Sequence, residues 1–219
     1  MDSNHKKRII AIVIAVSLIL IFYLIFHKHF ESFSNGNFYT IKRFNNNENA
    51  KDLLLEIDKN LLKLIKVFNT KYNNIHSLNI CNDQKLLLSN IKKKLNKTYK
   101  SNSLQENYPS VVGKDVSYNL DKGNIISICL RHYEEPDKFH EMNDLIFVAI
   151  HELSHSCNKS YGHDKKFWKI FRILLEIAVE YNIYNNINYQ IQPNNYCSMK
   201  ITYNPIFDQS LDDKEYFKN

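Results

Sequence analysis

At 219 residues, 44% hydrophobic and 24% charged, the chain has a globular balance and room for one ordinary domain plus a short extra segment. Four Gly and four Pro exclude collagen-like and linker-rich architectures. The net charge of +6 is that of a solvated basic surface, and no Arg-rich stripe with interleaved aromatics supports nucleic-acid binding.

Residues 1–8 form a polar tail ending in Lys6-Lys7-Arg8. Residues 9–26 then read IIAIVIAVSLILIFYLIF, without a charge. As a helix this run spans about 27 Å, close to the hydrocarbon core of a bilayer. The bulky Phe26-His27-Lys28-His29-Phe30 follows where a signal peptide would show small residues, so a retained anchor is expected. Three basic residues precede it, and Lys28 alone follows closely. That bias places the N-terminus in the cytosol and the following domain across the membrane. Asn96-Lys97-Thr98 and Asn158-Lys159-Ser160 are sequons that would report this topology in a eukaryotic host.

Residues 27–50 are polar and Asn-rich and read as a tether. A folded domain is expected over residues 51–207, with a polar tail at 208–219. Leu54, Ile57, Leu61, Ile65 and Phe68 give residues 51–72 helical spacing, and Leu87, Ile91 and Leu95 do the same for 83–100. Residues 116–119 and 125–131 are strand-like, joined by a turn in which Gly123 supplies a positive φ. Pro136 breaks the chain before a helix at 138–157. A polar stretch ends that helix, and Asp164 is placed to cap another running to about residue 181. A short strand is expected within 196–203. Cys81, Cys129, Cys157 and Cys197 contain no CxxC pair, which leaves buried thiols or one or two bridges.

The chemistry concentrates at His151-Glu152-Leu153-Ser154-His155. On a helix, positions i and i+4 share a face, so both imidazoles can reach one zinc ion. Glu152 lies about 100° further round, able to reach a metal-activated water without being a ligand. Two His and a Glu beside the apolar run at 145–150 need a reason to be there, because buried polar groups cost free energy unless satisfied. A catalytic zinc site needs a third ligand. His163 is the strongest candidate, with Gly162 allowing a sharp turn before it. His132, His140, Glu176 and Glu180 are the alternatives.

This constellation resembles the WLM-type metallopeptidases, zincins related to the SprT-like proteases. The likeness extends to Leu104-Gln105-Glu106-Asn107-Tyr108-Pro109, to Asn119 through Ile125 with Leu130-Arg131, and to Gly162-His163-Asp164-Lys165-Lys166-Phe167-Trp168. The resemblance implies an α+β zincin-like domain with zinc on His151, His155 and His163 and Glu152 as catalytic base. It also implies that the strand at 125–130 is an edge strand that binds extended peptide by β-augmentation. Asp164 would either orient a ligand or cap its helix. Ser156 stands where the family often has Asn, and the spacer to His163 is longer than usual.

The expected function is therefore a membrane-anchored zinc metallopeptidase acting on protein or peptide substrates. Two rivals are a catalytically silent, membrane-anchored zincin-fold binding or structural protein and a zinc hydrolase of non-peptide bonds. The intact Glu152 argues against the first, since a merely structural zinc site needs no base.

Overall fold

The computed structural model describes residues 10, 12–21, 29–34, 37–42, 45–107 and 116–211. Its longest helix, α1 (Asn47–Lys71), buries Ala50, Leu54, Ile57, Leu61, Leu64 and Phe68 at intervals of three and four residues. Asp58 falls on the same buried stripe, where it accepts hydrogen bonds from Tyr39 Oη (2.9 Å) and Tyr99 Oη (2.6 Å). Those two donors offset the cost of a buried carboxylate. Helix α2 (Asn82–Thr98) turns Leu88, Ile91 and Leu95 inward and leaves its many lysines at the surface or partly covered. Helix α3 (Met142–Cys157) is buried along most of its length, and α4 (Lys165–Glu180) covers it with Phe167, Ile170, Phe171 and Leu174. Helix α3 thus packs against α1, α2 and α4 at once.

The main sheet contains β1 (His29–Ser34), β2 (Asn37–Lys42), β3 (Leu104–Asn107), β4 (Tyr118–Leu120) and β5 (Ile125–Cys129), in the order β1-β2-β3-β5-β4. The three inner strands are parallel, and β1 and β4 add antiparallel to their neighbours. The β4–β5 turn runs through positive φ at Asp121, Lys122 and Gly123. At Gly123, a Cβ would stand 2.9 Å from Ser156 Oγ and 3.2 Å from Thr98, so the turn closes directly onto α3 and the end of α2. Beyond β5, the guanidinium of Arg131 is wholly buried: Nε donates to Glu106 Oε1 (2.5 Å), and Nη1 to the carbonyls of Asn45 (3.1 Å) and Pro136 (3.0 Å).

A second, two-stranded sheet of β6 (Asn194–Tyr196) and β7 (Met199–Ile201) follows α4. Tyr189 Oη (2.7 Å) and Asn194 Nδ2 (2.5 Å) both donate to Asp144 in the first turn of α3. A Cys129–Cys197 disulfide and a hydrogen bond from Tyr196 Oη to Cys129 O (2.8 Å) tie this hairpin to β5. Cys81 and Cys157 are free.

Three sequence expectations change. The 27–50 segment carries β1, β2 and the start of α1, with Tyr39 and Ile41 buried, so it is largely part of the domain and not a tether. Among the described residues the hairpin strand at a sheet edge is β4, because β5 is flanked by β3 and β4. Leu211, in the segment read as a polar tail, is buried, while residues 212–219 lie outside the described residues. For the expected anchor, residues 10 and 12–21 are helical and Ile12, Val13, Leu18 and Ile19 are more than half exposed. Among the described residues no helix is long and apolar enough to cross a membrane. Residues 9, 11 and 22–26 of the apolar run, like the 1–8 tail, lie outside them.

Candidate metal centre

Helix α3 presents His151 and His155 one turn apart, with ring centroids 5.0 Å from each other. Packing by α4 holds both rings. His151 meets Phe167 and Phe171 edge-on at 4.9 and 5.1 Å, and His155 stacks on Phe167 at 4.3 Å. The third histidine arrives through the polar spacer. Asn158 is buried and donates to Ser160 Oγ (2.7 Å) and Asp164 Oδ1 (3.0 Å), while Ser160 Oγ donates to Asp164 Oδ2 (2.6 Å). Asp164 also accepts from Phe167 N (2.7 Å) as the N-cap of α4. It is therefore the capping residue that closes the spacer, and these hydrogen bonds hold its carboxyl below the usual carboxylate range. Gly162 has no positive φ, and nothing lies within 4 Å of where its Cβ would be, so this polar network makes the turn without needing a glycine.

The outcome is a triangle of imidazoles. His163 Nε2 lies 2.9 Å from His151 Nε2 and 3.1 Å from His155 Nε2. Burial, followed by the neighbouring imidazoles, pushes His151 well below the ordinary histidine range. Burial and the charges of His163 and Lys122 lower His155 to about 4, and burial also lowers His163. All three rings are thus neutral near pH 7, the form that ligates metal. Three converging Nε2 atoms cannot all satisfy one another, since each neutral ring nitrogen either donates one hydrogen or offers one lone pair. A cation between them would engage three lone pairs, and a tetrahedral zinc site would separate the nitrogens by roughly 3.3 Å. The donor set fits zinc, and the group could hold a metal ion.

Glu152 is 5% exposed and lines the same cleft of about 540 Å³. Its backbone carbonyl accepts from Asn119 Nδ2 (2.6 Å), which also donates to Ser156 Oγ (2.7 Å). Asn119 thereby fastens edge strand β4 to the helix that carries both histidines. The opposite wall is made by Trp168 and Phe171 of α4 and by residues 199–203.

The model of the WLM domain family matches residues 33–190, well over half of the chain. The chain belongs to the WLM domain family. It is 37% identical over 106 residues to an uncharacterized protein of Acanthamoeba polyphaga mimivirus, covering 48% of this chain and 52% of that one. It is 32% identical over 82 residues to an uncharacterized protein of Invertebrate iridescent virus 6, covering 37% and 44%. The matched parts thus span about half the length of these curated relatives. Among solved structures it is similar to Wss1 from Saccharomyces cerevisiae, with a TM-score of 0.33 and 20% identity over 47% of this chain and 85% of that one. A Wss1 mutant from S. pombe gives 0.30 and 23%, over 46% and 91%.

The alternative ligands lie elsewhere in this WLM domain. His132 and His140 pack on each other at 4.0 Å, and His140 Nε2 accepts from Cys197 N (2.9 Å). Glu176 pairs with Arg172, and Glu180 with Lys71. Among the tyrosines lining the cleft, Tyr196 bonds Cys129 O and Ser117, Tyr203 donates to Asp208 (2.6 Å), and Tyr161 is 80% exposed. Met199 is half exposed and lines the cleft. Sequence reasoning missed the part played by Asn119 and the walls supplied by Trp168 and residues 200–202. Asn119 and Trp168 lie within the family-like segments, and residues 200–202 lie within the short strand expected at 196–203.

Proposed function

We propose that this WLM domain is a zinc-dependent peptidase, with zinc held by His151, His155 and His163 and with Glu152 as general base. The observation carrying this reading is the convergence of three neutral imidazoles beside Glu152, on the floor of a cleft walled by an open sheet edge. Zinc bound there would supply Lewis acidity toward a water and a carbonyl oxygen. The Glu152 carboxylate takes the proton of the attacking water and returns it to the leaving amide nitrogen. Strand β4 pairs only with β5 among the described residues, so its other edge can add an extended peptide and hold its backbone along the cleft. Asn119 keeps that edge in register with α3. The hydrogen bonds of the folded-back spacer hold His163 against the other two rings.

The domain reads further as tethered to a membrane by residues 9–26, with the N-terminus in the cytosol and the cleft on the opposite side. The apolar run and the basic residues before it support this placement.

The test is metal content alongside turnover. Purified protein should carry one zinc per chain and cleave denatured protein substrates. Glu152→Gln should keep the zinc while losing about 10²–10⁴-fold in rate. His163→Ala should lose or strongly weaken the zinc. Full activity in Glu152→Gln, or full zinc in His163→Ala, would overturn the assignment. Zinc-loaded wild type without any cleavage would favour the silent binding protein instead.

A further inference from the structure

The cleft has a chemical character beyond its metal ligands. Beside the imidazoles its lining is largely apolar: Phe147 and Phe171 pack edge-on at 5.1 Å, and Trp168 meets Tyr203 at 4.7 Å and stacks on His163 at 5.4 Å. Val148, one turn before Glu152, and Ile201 complete this surface. The aromatic wall therefore begins at the imidazoles themselves. A volume of about 540 Å³ is within the range of roughly 300–1,000 Å³ that admits a substantial ligand group. The charges are one-sided. Among the described residues Glu152 is the only carboxylate lining the cleft, whereas Lys122 stands on the β4 side and Lys200 on β7. Lys122 is partly committed, donating to Ser160 O (2.5 Å) and lying over the Tyr161 ring at 4.1 Å. Lys200 is exposed on the strand that borders the apolar wall.

We infer that the cleft is selective for extended polypeptide segments carrying a large apolar side chain at the metal centre and an acidic residue a few positions away, the first seated against Trp168, Phe171 and Ile201 and the second facing Lys200. This rests on the peptide-cleaving reading of the same site and adds its substrate class. The two parts differ in weight. A large side chain in a pre-formed apolar wall gains about 10–200-fold over a small polar one. An exposed lysine facing a carboxylate adds about two- to fivefold and loses that with salt.

The experiment separates binding from cleavage by using zinc-loaded Glu152→Gln protein. Fluorescein-labelled short Gly/Ser peptides carry Phe or Ser at the centre and Glu or Lys toward one end, and Kd is read by fluorescence anisotropy at low and high salt. The Phe/Glu peptide should bind at least tenfold tighter than the Ser/Glu peptide, and two- to fivefold tighter than Phe/Lys at low salt only. Adding Lys200→Glu should reverse the flank preference and leave the Phe preference intact, a gain that misfolding cannot mimic. Ile201→Ala should shrink the Phe preference. Equal binding of Phe and Ser peptides, or a Lys flank preferred by the unreversed protein, overturns the inference. If these preferences hold while wild type cleaves nothing, the peptidase reading fails and the subsite stands. If wild type cleaves all four peptides equally, the subsite fails and the peptidase reading stands.

Discussion

His140 is a buried histidine away from the metal ligands. It is 4% exposed, its Nε2 accepts the Cys197 amide, and its ring packs on His132 and Tyr196. Burial, then the neighbouring His132 charge, lowers it to about 4. The folded state thus holds His140 neutral while the unfolded chain protonates it near 6.5. Between those values the unfolded chain binds the extra proton, so stability is intact above about pH 6.5 and declines as pH falls toward 4, by on the order of 3 kcal/mol. Melting temperature measured from pH 7 to 4.5 should fall less steeply in His140→Gln, whose amide oxygen can still accept the Cys197 N–H. Equal slopes in the two proteins would show that His140 does not carry the effect. Little of this was legible beforehand, because a lone histidine shows nothing of its burial. His151 and His155 were legible, since helical spacing alone puts them on one face. His163 was the strongest of several candidates, and the family-like His-Asp segment singled it out.

Among the elements, the two glycines flanking functional residues have opposite standing. Gly123 combines φ of 110° with a turn closed against Ser156 and the Thr98 backbone, so an added methyl has no room. Gly123→Ala should cost about 1–3 kcal/mol and loosen β4 from α3. Gly162→Ala meets open space without a left-handed backbone and should be neutral or stabilising by up to about 1 kcal/mol. Denaturant midpoints of the two variants check this, and a Gly162→Ala protein as unstable as Gly123→Ala would contradict it. The helices were readable because each is long enough for its apolar spacing to repeat. Strands β1 and β2 were hidden by Asn-rich composition, although the aromatic and β-branched run Phe38-Tyr39-Thr40-Ile41 has strand character. The four-residue β3 was too short to show a period, and its parallel pairing with both β2 and β5 depends on partners far away in sequence. That same pairing moved the sheet edge from β5 to β4.

For the whole molecule, the membrane reading and the disulfide bear on each other. Disulfides persist in oxidising compartments, so the Cys129–Cys197 bond supports placement of the domain opposite the cytosol. Expressed in eukaryotic cells, the full chain should sediment with membranes and resist protease added to intact microsomes. It should also gain glycan at Asn96, which is exposed near the end of α2. Asn158, buried and bonded to Ser160 and Asp164, should stay unmodified in the folded protein. A soluble chain, or an unglycosylated domain digested from the cytosolic side, would refute the placement. The bond has a further consequence before folding is complete. It closes a loop between residues 68 apart, and His151, His155 and His163 all fall inside it. Once formed, it strips the unfolded chain of closure entropy worth roughly 4 kcal/mol. The metal ligands of an oxidised, unfolded molecule are therefore confined to one small ring, with a raised local concentration of imidazole around any ion that meets the first of them.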